Sequence, residues 1–137
     1  MGGSFTVDFP TVADAVATDT VQVFVYPYNA SSDSCEALVE TRRTTAASPG
    51  SFTVETQPTS PCALSGGSGS LAVPFGEYSF LAVAGKSGTD LLLGCAAQTI
   101  SDTNSVVNIP LTLASETASV PTTSCMMLSA FCAKECK

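Results

Sequence analysis

"GEYSFLAVAGKSGTDLLLGCAAQTI", residues 76–100, decides how this chain folds. Two apolar runs flank Lys86, Ser87, Gly88 and Thr89, and a glycine-containing loop of that length joins antiparallel strands comfortably. The stretch predicts a hairpin with strands over 76–85 and 90–100. Side chains alternate between the faces of a strand, so Leu91, Leu93, Cys95 and Ala97 share one face. If that face is the inner one, Cys95 points into the core.

Upstream, "TVQVFVYPY" (20–28) sets Val21, Val23 and Val25 on one face and Phe24, Tyr26 and Tyr28 on the other. This β-branched and aromatic content marks a strand. "SFTVDF" (4–9) alternates loosely and is expected as an edge strand before Pro10. "TVADAVATD" (11–19) reads as a loop or a weak turn of helix. The period then changes. "SSDSCEALVETRR" (31–43) offers Asp33 as an N-cap with Glu36 three residues on, a capping box. Cys35, Leu38 and Val39 form an apolar stripe while Glu36, Glu40, Arg42 and Arg43 stay wet. One short helix over about 33–43 is predicted, facing the core through its cysteine.

"SFTVET" (51–56) and "SLAVP" (70–74) read as short strands on either side of a long loop, "QPTSPCALSGGSGS" (57–70). The glycines of that loop lack the Lys-Ser/Thr ending and following helix of a phosphate loop. "NSVVNIPLTLA" (104–114) aligns Val107, Ile109, Leu111 and Leu113 on one face. Pro110 removes a ladder donor there, which marks an edge strand or a bulge. Short strands at regular intervals make the chain mainly β, an antiparallel sandwich of about seven strands.

Composition narrows the function. The 137 residues suit one domain, with 45% hydrophobic and only 12% charged residues. A net charge of -7, from twelve carboxylates against five basic residues, repels phosphate backbones, so no nucleic-acid partner is expected. No run is long and apolar enough for a transmembrane segment. The chain has no histidine, which removes Ser-His and Cys-His catalytic pairs and most zinc-finger arrangements. No enzyme activity, catalytic residue, cofactor or metal is expected.

Six cysteines without histidine indicate disulfides and an oxidising compartment. Cys35 and Cys95 both point inward from elements that must pack together, and they make the preferred pair. Closing a loop of about 60 residues stabilises by roughly 4 kcal/mol in the chain-entropy model. Cys62, Cys125, Cys132 and Cys136 remain, with one bond from Cys62 to the tail and one within the tail as the simplest arrangement. Which cysteine takes which partner stays open. In a helical tail Cys125, Leu128, Cys132 and Cys136 would line one stripe. Their C-x6-C-x3-C spacing lacks the C-x2-C knuckles of structural zinc. Asp8, Asp14 and Asp19, with Asp90 and Asp102 at strand ends, lack EF-hand spacing and read as solvated loop acids.

"VPFGEYSFLAVAG", "LLLGCAAQTI" and "VVNIPLTL", within residues 73–113, resemble transthyretin-like and carboxypeptidase-regulatory-like β-sandwich domains of bacterial secreted proteins or lipoproteins. The resemblance rests on a Pro-x-Gly-x-Tyr-x-Phe turn and strand. It implies a seven-stranded Greek-key sandwich acting as a spacer, adhesive or assembly module, usually without catalysis. The cysteines and the helix at 33–43 depart from that pattern. Some such sandwiches carry a Lys–Asn isopeptide bond, but Lys86 lies in a turn and does not suit one.

The expected organisation is an N-terminal segment or donor/edge strand (1–19), a β-sandwich body (20–114) and a Cys-rich, disulfide-stapled C-terminal tail (115–137). "MGGSF" reads as an added start; a cleaved signal peptide is the plainer history, and a lipid-anchored cysteine in place of Met1 the other. The expected function is a non-enzymatic extracytoplasmic structural or interaction module, secreted, periplasmic or on the outer surface, with a protein partner or self-assembly into a surface fibre. The alternative is a module binding carbohydrate, peptide or calcium through sandwich-end loops.

Overall fold

The computed structural model describes residues 2–28, 34–45, 54–56, 59–62, 68–86, 88–102, 105–114, 125 and 127–134. In chain order the elements are β1 (Gly2–Asp8), α1 (Val12–Ala17), β2 (Thr20–Pro27), α2 (Cys35–Thr45), β3 (Val54–Glu55) and β4 (Ser68–Val73). There follow β5 (Gly76–Lys86), β6 (Thr89–Ile100), β7 (Val106–Pro110), β8 (Thr112–Leu113) and α3 (Leu128–Cys132). The chain is mainly β, as its alternation predicts.

The hairpin organises the rest. β5 and β6 pair antiparallel from Gly76↔Ile100 to Lys86↔Thr89. Gly88 has φ +81, so glycine supplies the left-handed backbone of the tight turn. β2 adds to the other side of β5, giving a five-stranded sheet in the order β3-β2-β5-β6-β8. A second sheet runs β4-β1-β7. Between the sheets Phe5, Val7, Val73, Val107 and Ile109 meet Val21, Val23, Val25, Phe80 and Leu92, all buried. This is a sandwich core.

The five-stranded sheet also carries α2 on its outer face. Leu38, fully buried, packs there on Phe24, Tyr26, Leu81, Val83 and Leu93. Apolar cover on both faces explains why β2 and β5 are nearly continuous buried runs rather than alternating ones. It also explains how two valine and aromatic faces of one strand are both satisfied. Tyr78 belongs to the core between the sheets; its hydroxyl donates to the Pro74 carbonyl at 2.7 Å, and its ring lies 3.6 Å from where a Cβ on Gly76 would stand. That is the physical content of the Pro-x-Gly-x-Tyr motif.

Several expectations change. The first strand is no edge: β1 lies in the middle of its sheet, antiparallel to β4 and parallel to β7. Three short helices form among the described residues rather than one. α1 starts because Thr11 accepts the Asp14 N–H at 3.1 Å, an N-cap. α2 is capped by Ser34, whose Oγ accepts from the Ala37 N–H at 3.3 Å; Asp33 lies outside the described residues. β4 begins at Ser68, inside the predicted glycine loop. The strand expected over 104–114 is two strands, with Leu111 as the single residue between them. Leu113 is exposed, not aligned with the buried Val107, Ile109 and Leu111.

Leu91 and Leu93 do not share a face either. The β5–β6 register shifts by one residue between Ala84 and Gly85, a bulge that turns Leu91 toward the sandwich core and leaves Leu93 and Cys95 facing α2. Cys95 is therefore inward, but toward the helix layer.

Candidate functional site

β6 is the longest strand, twelve residues, and only one of its sides is fully paired. On the side away from β5, β8 pairs with Leu92 and Leu93 alone, and the Leu91 carbonyl accepts from the Ala114 N–H at 2.9 Å. In an antiparallel ladder alternate residues aim their N–H and C=O at the same neighbour. Beyond the bulge, Cys95, Ala97 and Thr99 continue the alternate series that starts at Leu93, the residue paired with Thr112, so their backbone groups point to this outer edge. Among the described residues none of the three has a backbone partner there.

The gap has a definite cause. Pro110 ends β7, which belongs to the other sheet, and the chain crosses over at Leu111 to become β8. The Leu111 N–H donates to Asp8 O at 2.9 Å, which pins the corner to the end of β1. The Pro110 carbonyl lies so close over Gly94 that a Cβ on Gly94 would collide with it. Further along, Gln98 Nε2 donates to Val106 O at 2.8 Å and fastens β7 to the inner side of β6. Beyond Leu93 the edge is held from beneath but not paired.

Beside this edge runs a groove of about 410 Å³, floored by Val39, Leu93 and the Cys35–Cys95 disulfide and rimmed by Glu36, Glu40 and Arg43. The disulfide joins α2 directly to β6, with Cα atoms 5.4 Å apart. Arg42 grips Asp90 through two charge-assisted bonds, Nε to Oδ2 at 2.6 Å and a terminal nitrogen to Oδ1 at 2.8 Å. Its guanidinium also sits 6.0 Å from the Phe24 ring centre. These two ties fix the helix on the sheet and hence the shape of the groove. Arg43 is occupied at the rim, donating to Ala114 O at 3.1 Å and lying 3.9 Å from Glu40. Glu36 and Glu40 are exposed carboxylates on the groove side of α2.

The remaining sequence candidates are dispersed. Cys62 bonds Cys132, Cα to Cα 5.5 Å, tying α3 to the segment between β3 and β4. Cys125 is buried and disulfide-bonded too; Cys136 lies outside the described residues. Among the described residues α3 covers Leu128–Cys132 and Cys125 lies outside it, so Cys125 does not share a helical stripe with Leu128 and Cys132. Among the described residues no group of three or more cysteines or carboxylates is placed to hold a metal ion. Asp90 is taken by Arg42, Asp102 accepts from Ser105 at 3.4 Å, and Asp14 is buried in α1. No helix among the described residues is long and apolar enough to cross a membrane. The open edge itself was not found from sequence. Its one signal was the break at Pro110 opposite an unbroken run in β6.

No family model matches the chain, so none stands behind the transthyretin-like resemblance, and no curated protein matches either. The fold is similar to a crystal structure from Bacteroides thetaiotaomicron VPI-5482 described as candidate polysaccharide-binding proteins (DUF1812). The TM-score is 0.49 and the identity 10%, over 80% of this chain and 46% of that one. The chain thus spans less than half the length of that neighbour.

Proposed function

We propose that the protein is a non-enzymatic, extracytoplasmic structural module that assembles with copies of itself into a surface fibre by exchanging β1. The observation that carries the reading is the position of β1. It lies between β4 and β7, whose sequence positions are remote from it, and it inserts Phe5 and Val7 into the core. Only residues 9–11 link it to α1. The same strand from a second copy, in the same register, would restore every contact, which is the low-cost route of strand and domain swapping. The disulfides support an oxidising, extracytoplasmic setting.

The test uses the touching pair Thr6 and Asn108, whose side chains meet at 2.8 Å on the exposed face of β1 and β7. In a Thr6→Cys/Asn108→Cys variant a short bis-maleimide links β1 to whichever β7 holds it. Exchange gives a ladder of covalent multimers on a denaturing gel after concentration or prolonged incubation. Monomer alone at every concentration and time would sink the proposal.

A second reading, a ligand-binding module, is favoured by a concavity of about 580 Å³ lined by Tyr28, Glu77, Ala97, Gln98 and Thr99. Tyr28 is 44% exposed there, a flat ring beside hydrogen-bonding groups. A glycan array tests it, with Tyr28→Ala as the variant that must lose any signal.

A further inference from the structure

We infer that the open edge of β6 is a docking site for an extended, basic peptide segment of another protein, which adds to the five-stranded sheet as its next strand. The site goes beyond β1 exchange, which involves the other sheet, and either can fail without the other.

Three observations converge on it. Cys95, Ala97 and Thr99 offer a row of backbone donors and acceptors along a strand already rigid through its pairing with β5. Main-chain bonds to such a row supply affinity in strand addition, and pockets beside it select the side chains. The side chains along this edge are small, and Ala97 and Thr99 are exposed, so an incoming backbone meets no bulky obstacle. Lastly, the groove beside α2 lies next to Cys95, where alternate side chains of an added strand would enter it.

Charge selects the occupant. Of the rim groups, Arg43 is engaged by Ala114 O and lies 3.9 Å from Glu40, so Glu36 is the rim carboxylate with no basic partner among the described residues, and the rim keeps a net negative charge. The whole chain adds a net charge of -7. A second copy is a poor occupant, because β1 and β6 carry acids (Asp8 and Asp90) and no basic residue. A strand with lysine or arginine at alternate positions meets the groove with its charge opposed and its stem on Val39 and Leu93.

The test titrates the full-length protein with a capped synthetic peptide of alternating lysine and valine, and with its glutamate counterpart. Amide hydrogen exchange is read residue by residue. With the lysine peptide, exchange slows at Cys95, Ala97 and Thr99, and the glutamate peptide binds roughly three- to tenfold more weakly or not at all. Reversing the rim with Glu36→Lys and Glu40→Lys inverts that preference. Ala97→Pro blocks the edge, since its N–H is not used in pairing with β5 and the fold tolerates proline at such a position. A lysine peptide N-methylated at alternate residues makes the same check without altering the protein, and it must fail to bind. Unchanged exchange at the three amides, equal binding of both peptides, or binding that survives N-methylation overturns the inference. Protection of the same amides by raising protein concentration alone overturns it too, by naming a second copy as the occupant.

Discussion

Gly94 and Gly85 lie on the paired strands of one hairpin and face opposite physical demands. At Gly94 an added methyl would strike the Pro110 carbonyl and come within 2.9 Å of its carbon, so backbone must move. At Gly85 the nearest atoms to an added methyl, Thr20 Oγ1 and Thr89 O, are 3.5 Å away, an ordinary contact. Gly94→Ala is therefore expected to cost about 1–3 kcal/mol through overpacking. Gly85→Ala should stay within about 0.5 kcal/mol of the parent, because the loss of unfolded-state freedom offsets a small misfit. Urea unfolding of the two variants measures the contrast; equal effects would mean that the β7–β8 corner is not seated on Gly94.

At the scale of elements, α2 is held on its sheet by ties of unequal strength. Arg42 and Asp90 form a two-point pair with side chains only 15% and 17% exposed, whereas Arg43 and Glu40 sit 3.9 Å apart at 43% and 67% exposure. A double-mutant cycle over Arg42→Ala and Asp90→Ala should give a coupling of about 1–2 kcal/mol. The cycle over Arg43→Ala and Glu40→Ala should stay below about 0.5 kcal/mol, since solvent screens it. The reverse order would contradict the placement of the helix. Elements were legible in the sequence wherever the cause was local. The hairpin follows from two alternating runs around Gly88, and the inward cysteines follow from a helical stripe at Cys35 and a strand face at Cys95. What depended on remote partners was not legible. Nothing near Phe5 tells that Gly69 and Val107 will flank it, so β1 reads as an edge although it is a middle strand. The bulge that parts Leu91 from Leu93 arises from a one-residue mismatch between two strands, which neither strand shows alone. The open edge of β6 was hidden for the same reason, since it exists only because β7 leaves for the other sheet.

In the molecule as a whole, two cross-links of similar span do different work. Cys35–Cys95 closes 60 residues and Cys62–Cys132 closes 70, so the chain-entropy model assigns each about 4 kcal/mol. That equality assumes that the folded state is unchanged when a bond is removed. It holds for Cys35–Cys95, because α2 stays on the sheet through Leu38 and the Arg42–Asp90 pair. It does not hold for Cys62–Cys132, whose partner helix α3 spans five residues near α1 and whose described side chains, Ala130, Phe131 and Cys132, are all partly exposed. Without its bond α3 gains freedom in the folded protein as well, which cancels part of the freedom gained on unfolding. Cys35→Ala/Cys95→Ala should thus lower global stability by close to the full amount, about 3–4 kcal/mol. Cys62→Ala/Cys132→Ala should cost clearly less, about 1–2 kcal/mol, despite its longer loop. The signature that separates the two is local: only the second variant should lose amide protection in α3 while β5 and β6 keep theirs. Equal losses, with α3 still protected, would show that the tail is packed as firmly as the sandwich, and the staple would then serve the whole fold rather than one end of it.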